Sequence, residues 1–347
     1  MKRILIFFII SLFLTNAYSS PKFDKDLKKF SKENGFIDSK GKIYSENEIK
    51  DKKNSILIIY NHGSDNDQKS DKCTSSGNNV PKVIRDLHDK NIKNFKIKIY
   101  RLCTGAKGWS KKEQTKMWKA HEKTGKLAIE LKDKDGISLI NKQKQNQRRR
   151  VIKDKVDSFI EEGFKNIILA GHSSGGWQSL KIKAEFPKLV KGVIGLNPGA
   201  GGTVKNRKDW PWWEEVRYYG FVKDLSQINA EFPKLVKGVI GLNPGAGGTV
   251  KNRKDWPWWE DVRYFGFVKD LSQINAIIVA HDKDHFNSPN DYSLFKSINS
   301  VKFVNLTNSG CKKAEPTNNY HGITLTKCYA EYEKKNKDLI KYLNGIF

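Results

Sequence analysis

The residues best suited to chemistry lie in the stretch Asn166–Gly176, NIILAGHSSGG. Its apolar run Ile167–Ala170 has the pattern of a strand buried on both faces, and the residues after Gly175 have the pattern of a helix start. Between them, Gly171–Gly175 is a G-x-S-x-G sequence. A G-x-S-x-G that joins a buried strand to a helix forms a turn so tight that the serine hydroxyl stands clear of the sheet. The stretch therefore predicts Ser173 as a nucleophile.

A serine hydroxyl is a weak nucleophile at neutral pH and needs an adjacent base, which a carboxylate must orient. The chain has seven histidines, and His321 is the one in the loop after the last predicted strand. The carboxylate is expected after the predicted strand Asn275–Ala280, where Asp284 and Asp282 are both available. The order serine, acid, histidine favours His321 as the base and Asp284 as the acid, with Asp282 as the alternative acid.

An acyl-transfer site also needs donors for the negative oxygen of the transition state. The amide of the residue after the nucleophile, Ser174, is the first candidate. A second lies in the turn Gly63-Ser64, directly after the predicted strand Ser55–Tyr60. An ordinary turn after a strand is the alternative interpretation of that position.

The acidic loop itself allows another interpretation. His281, Asp282, Asp284 and His285 carry side chains that suit zinc or manganese. Neighbours within one loop rarely converge on a single ion, so no metal and no cofactor is expected. His172 is interpreted as a spacer residue within the turn.

The N-terminus has the features of a secretory signal peptide. Lys2-Arg3 precede the apolar run Ile4–Leu14, and Ala17-Tyr18-Ser19 places small residues at a cleavage site after Ser19. The run is too short to span a bilayer, and no later stretch could cross one. The sequence therefore predicts a leader over residues 1–19 and an exported, periplasmic or secreted domain over residues 20–347.

The net charge of +26 raises the question of nucleic-acid binding. Lysines are spread along the whole chain and interleaved with acidic residues, and the densest cluster, Arg148-Arg149-Arg150, opens an amphipathic helix. That position predicts arginines on a solvated face. No specific nucleic-acid partner is expected.

Four cysteines in an exported chain predict two disulfides rather than catalysis. Cys73 and Cys103 each follow a core strand near the same sheet edge, and Cys311 and Cys328 bracket the last loop. We therefore expect the pairs 73–103 and 311–328.

A 46-residue segment occurs twice in tandem, as Glu185–Ala230 and Glu231–Ala276. The copies differ only at Glu215/Asp261 and Tyr219/Phe265. The sheet needs one strand between the helix after Ser173 and the strand Asn275–Ala280, and one copy supplies it. We therefore expect a single copy's strand in that place, with the surplus 46 residues outside the sheet.

The predicted elements alternate between strands and helices, which predicts an α/β fold with a mainly parallel sheet covered on both faces. The strands are predicted at Ser55–Tyr60, Phe95–Leu102, Ile167–Ala170, Leu189–Leu196, Asn275–Ala280 and Val301–Leu306, and the helices at Val80–Lys90, Arg148–Gly163, from Gly176, and at Cys328–Leu343.

With these motifs in place, the chain resembles the α/β-hydrolases, in particular dienelactone hydrolase-like and esterase-like serine hydrolases. The residues that carry the resemblance are Asn61–Gly63 (NHG), Gly171–Gly176 (GHSSGG), Ala280–Asp284 (AHDKD) and His321-Gly322 (HG). The repeat departs from the family pattern, at a place where relatives carry one strand and often a lid.

The resemblance implies an exported serine hydrolase that cleaves a small carboxylic ester or thioester through an acyl-enzyme. An exported peptidase of the same fold is the first alternative. A hydrolase-fold protein that binds a ligand without turnover is the second.

Overall fold

The computed structural model describes residues 33–64, 73, 79–107, 119, 123, 144–199, 275–284, 299–312 and 320–347. Within these ranges, none of the helices combines the length and the apolar character that a bilayer crossing requires. The predicted leader, residues 1–19, and His285 lie outside the described residues.

The described residues form a nine-stranded sheet in the order β2-β1-β5-β3-β6-β7-β8-β9, with β4 paired to β5. Strands β3 and β5 to β9 run parallel to one another, whereas β1 pairs antiparallel with β2 and β5, and β4 pairs antiparallel with β5. The strands are β1 (Gly35–Ile37), β2 (Ile43–Tyr44), β3 (Ser55–Asn61), β4 (Asn91–Ile92), β5 (Phe95–Leu102), β6 (Asn166–His172), β7 (Gly192–Leu196), β8 (Ala276–Ala280) and β9 (Val301–Asn305).

Helices cover both faces of the sheet. They are α1 (Lys82–Arg85), α2 (Lys144–Glu161), α3 (Ser174–Glu185), α4 (Lys327–Asn336) and α5 (Asp338–Ile346). Leu57 and Ile59 of β3 belong to the core cluster that includes apolar residues of α2 and α3, whereas Ile56 and Ile58 belong to the cluster that includes those of α1, α4 and α5. Because successive residues of a strand face opposite sides, a strand buried on both faces must be apolar throughout. The predicted α/β class with a mainly parallel sheet is confirmed.

The helices differ from the sequence prediction at both ends of the chain. The helix predicted over Val80–Lys90 is the short α1, followed by turns. The single closing helix predicted over Cys328–Leu343 is two helices, divided at Lys337, whose φ is 56°. The carboxylate of Glu333 accepts the amide N–H of Leu339 at 2.7 Å, so the break is bridged by a side chain.

Arg148 lies inside the protein rather than on its surface. It was predicted on a solvated face with Arg149 and Arg150, but it is 0% exposed. The side chain of Arg149 does reach solvent and forms an ion pair with Glu185 at 2.9 Å. Helical periodicity identified Ile152, Val156 and Phe159 of α2 as buried, but Ile160 of the same predicted stripe is exposed. Periodicity also could not show that the helix start is buried against the loop after β3.

The first copy of the repeat supplies the strand between β6 and β8. Its strand β7 pairs with β6 on one side and directly with β8 on the other, with Val193 opposite Ala276. No strand of the second copy intervenes at this place in the described sheet. The corresponding segment of the second copy, Leu235–Leu242, lies outside the described residues.

Deletion of residues 231–276 is therefore expected to leave the fold intact. Ala230 would then precede Ile277 and take the place of Ala276 as the first residue of β8. We expect the shortened chain to unfold cooperatively by thermal denaturation, at a melting temperature equal to or above that of the full chain.

Deletion of residues 185–230 provides the matched control. It leaves almost the same sequence of 301 residues (347 − 46), since the copies differ at only two of their 46 positions. Failure of both shortened chains to fold would show that the second copy is an integral part of the structure.

The four cysteines behave as two unlike pairs. Cys311 and Cys328 are bonded, with their Cα atoms 5.7 Å apart. The predicted bond between Cys73 and Cys103 is not formed, and both are buried thiols. The Cys73 thiol donates to Glu33 Oε2 at 3.1 Å, and the Cys73 amide donates to Cys103 Sγ at 3.1 Å. A hydrogen bond from the side chain of Cys73 is the largest cause that lowers the pKa of Cys103 to about 6.

Candidate active site

Ser173 occupies a strained turn at the junction of β6 and α3. Its φ is 51° and its ψ is −124°, a backbone conformation that residues other than glycine rarely adopt. A Cβ added to Gly171 would lie 2.5 Å from the carbonyl carbon of Gly175. The backbone of this turn is therefore packed too closely for side chains at the two glycines, as the G-x-S-x-G sequence predicts.

The loop after β3 lies directly against this turn. A Cβ on Gly175 would lie 2.1 Å from the carbonyl oxygen of Asn61 and 2.4 Å from that of His62. The predicted oxyanion positions Gly63 and Ser64 follow these two residues immediately. The absence of a side chain at Gly175 thus allows the loop and the turn to meet.

Asp284 and His321 are in hydrogen-bond contact. His321 Nδ1 lies 2.9 Å from Asp284 Oδ2 and 3.1 Å from Oδ1. The side chain of Asp284 is fully buried and that of His321 is 9% exposed. A carboxylate in this place accepts the Nδ1–H of the imidazole and leaves Nε2 as the basic nitrogen.

Four features now occur together: a parallel sheet with helices on both faces, a serine on a strained strand-to-helix turn after β6, an acid after β8, and a histidine after β9 that contacts the acid. This chain order and this turn are those of one architecture. The chain has the α/β-hydrolase fold.

Comparison with known proteins gives a match by structure but not by sequence. No protein-family model matches it, and no curated protein matches it in sequence. Among solved structures, it is similar to a Paleococcus ferrophilus monoacylglycerol lipase at 15% identity, covering 90% of this chain and 98% of that one with a TM-score of 0.41. It is also similar to a lipase-esterase related protein from Clostridium acetobutylicum at 13% identity, covering 88% and 98% with a TM-score of 0.38.

The two candidate acids lie in different environments. Asp284 contacts His321, whereas Asp282 Oδ1 accepts the side-chain amide of Asn305 at 3.2 Å in an exposed position. Asn197 additionally donates its side-chain amide to Asp284 Oδ2 at 2.9 Å. In this α/β-hydrolase fold the buried carboxylate beside the imidazole is therefore that of Asp284.

Two of the residues in the metal interpretation of this loop have other contacts, and His285 lies outside the described residues. Asp284 is directed at His321, and the ring of His281 stacks on Tyr320 with centroids 4.0 Å apart. In the described part of the chain, the cluster with metal-ligating groups close together is instead Glu33, Cys73 and Cys103.

His172 does more than separate Gly171 from Ser173. Its Nε2 lies 2.9 Å from the carbonyl oxygen of His321, and the two rings are 4.9 Å apart. Burial is the main cause that lowers the pKa of His172 to about 3, so the ring is neutral near pH 7 and donates its Nε2–H to that carbonyl. This bond fixes the loop of His321 beside the turn that carries Ser173.

Three polar residues of this site were not found from the sequence: Asn197, Gln145 and Arg148. Asn197 follows β7 directly, and side chains that follow neighbouring parallel strands meet at one sheet edge, so this residue could have been predicted from its position. Gln145 and Arg148 carried no such signal, because they lie on a helix that precedes β6.

Proposed function

We propose that this protein is an exported serine hydrolase that cleaves a small carboxylic ester or thioester through an acyl-enzyme. The observation that carries the proposal is the buried Asp284–His321 contact, held by His172 against the strained turn of Ser173. Neither a strained serine nor a buried histidine–carboxylate pair alone would indicate acyl transfer, but their juxtaposition suits it.

In the proposed reaction, Ser173 Oγ attacks the carbonyl carbon of the ester while His321 Nε2 takes its proton. The resulting imidazolium is stabilised by Asp284, which accepts its Nδ1–H. The carbonyl oxygen becomes negative and is bound by the amides of Ser174 and of the Gly63-Ser64 turn. Loss of one such donor typically costs about 3 kcal/mol of transition-state stabilisation.

The tetrahedral intermediate then collapses and expels the alcohol or thiol, which receives the proton from His321. Water, activated by the same histidine, attacks the acyl-Ser173 ester and releases the acid. The histidine thus ends the cycle neutral, and the reaction consumes one water for each bond cleaved. His172 stays neutral near pH 7 because its pKa is about 3, so it adds no charge that would oppose the imidazolium.

Covalent labelling tests this proposal. The chain is expressed with its leader in a Gram-negative host, recovered from the periplasm and treated with a fluorophosphonate. We expect one phosphonyl group on the peptide containing Ser173, no label in the Ser173→Ala variant, and a mature chain that begins at Ser20.

Each readout has a separate meaning. A folded protein that takes no label would instead be a binding protein of this fold. A labelled protein that cleaves peptides but not esters would be the peptidase. A chain that retains residues 1–19 would contradict export without affecting the chemistry.

A further inference from the structure

Arg148 of α2 is buried against the loop that follows β3. Its guanidinium donates to the carbonyl oxygen of His62, to the carbonyl oxygen of Gly63 at 3.1 Å and to the hydroxyl of Ser64 at 3.1 Å. The residue is 0% exposed. A buried guanidinium is costly unless oxygen atoms accept from its N–H groups, and here two main-chain carbonyls and a hydroxyl accept from its two terminal nitrogens.

These contacts determine where the amides of the loop point. In a trans peptide the carbonyl of one residue and the N–H of the next point in opposite directions across a planar group. Fixing the carbonyl of His62 therefore fixes the N–H of Gly63, and fixing the carbonyl of Gly63 fixes the N–H of Ser64. Both N–H groups are directed away from Arg148, and they belong to the turn that is predicted to supply an oxyanion donor in addition to the Ser174 amide.

Gln145 connects the two halves of the predicted oxyanion site. Its Oε1 accepts the hydroxyl of Ser174 at 2.5 Å and the side-chain amide of Gln178 at 3.2 Å. Its Nε2 donates to the hydroxyl of Ser64 at 3.3 Å. One side chain thus spans from the loop after β3 to the start of α3. Gln145 and Arg148 are three residues apart, so they lie on the same side of α2.

We propose that Arg148 and Gln145 are positioning residues that hold the oxyanion donors of this site in place. They act through the loop and the start of α3, without contacting the substrate. The inference rests on the proposed function. Donors that are fixed before the reaction stabilise the developing charge without reorganising, which is why their placement affects the transition state more than the bound ester.

The test compares Arg148→Lys, Arg148→Met and Gln145→Leu with the wild-type chain and with Arg149→Met as the matched control. Removing an oxyanion donor lowers kcat by about 10²- to 10³-fold, so we expect Arg148→Met to lose about 10²-fold. Arg148→Lys keeps a cation that can reach a carbonyl but lacks the planar fork, so it should recover part of this loss. The control variant Arg149→Met changes a side chain that reaches solvent, so it should keep the wild-type kcat.

An alkyl boronic acid provides the readout that separates positioning from a structural effect. Its adduct with Ser173 places an oxygen in the oxyanion site, so its inhibition constant should rise by about the factor by which kcat falls. The KM for the ester should change little. Thermal denaturation establishes that each variant is folded, and Gln145→Leu keeps the test decisive if Arg148→Met does not fold.

Wild-type kcat and boronic-acid inhibition in both Arg148→Lys and Gln145→Leu would overturn the proposal. A higher KM with an unchanged kcat in both variants would also overturn it, because that result would place these residues in substrate binding. If the wild-type chain neither takes a fluorophosphonate label nor turns over esters, the proposed function fails and this inference fails with it.

Discussion

Replacing Ser173 by alanine is expected to abolish turnover of short p-nitrophenyl esters, lowering kcat by about 10⁴-fold or more. In the proposed reaction this hydroxyl supplies the attacking oxygen, whereas the hydroxyl of the next residue, Ser174, donates to Gln145 Oε1. His321→Ala should cause a loss of the same order, since the serine would then lack its base. Removing both together should cost little more than removing one, because the two residues act as a unit.

Two variants at a distance from the turn serve as controls. Ser158 of α2 donates its hydroxyl to Glu162 at 2.8 Å, and His88 lies 3.3 Å from the hydroxyl of Tyr44. Ser158→Ala and His88→Gln should therefore keep full turnover. The variants are compared by their steady-state rates, after thermal denaturation has shown that each one is folded. Full activity in Ser173→Ala would contradict the assignment of Ser173 as the nucleophile, and full activity in His321→Ala would contradict that of His321 as the base.

The second large effect is expected at Asp284, where replacement by asparagine should lower kcat by about 10⁴-fold. Asparagine has nearly the same shape but no negative charge, and its amide group can favour the wrong tautomer of His321. The carboxylate is fully buried and 2.9 Å from His321 Nδ1, so water cannot substitute for it easily. The loss should appear in kcat rather than in KM.

Asp282→Asn is the matched control, since it makes the same chemical change two residues away. Asp282 is exposed and its Oδ1 accepts from Asn305, so this variant should keep nearly full activity. If Asp282→Asn proves inactive while Asp284→Asn remains active, the roles of the two acids are exchanged and the contact with His321 is not the catalytic one.

The strands of this fold were predictable because burial on both faces requires continuous apolar runs. Strand β5 has the predicted bounds, and β8 and β9 each differ by one residue at one end. The turn at Ser173 was predictable for a related reason, since its two glycines are required by backbone contacts that any sequence adopting it must respect.

Other features depend on partners far away in the sequence. Arg148 looked like a solvated residue because arginine is usually exposed, and its acceptors are carbonyl groups more than 80 positions earlier in the chain. The break at Lys337 has no glycine or proline to signal it, and it depends on a contact from Glu333. Sequence patterns report burial and periodicity, but they do not report which carbonyl groups need a donor.

The direct pairing of β7 with β8 has a consequence for how this gene can change. The connection leaves the C-terminal end of β7 and re-enters the sheet at the N-terminal end of the adjacent parallel strand β8, so its ends stay about one strand length, roughly 16 Å, apart whatever its length. Adding 46 residues to such a connection costs only about 1 kcal/mol in closure entropy when it behaves as a flexible loop. The duplicated copy can therefore accumulate substitutions while Asn197 and Asp284 keep their places on either side of it.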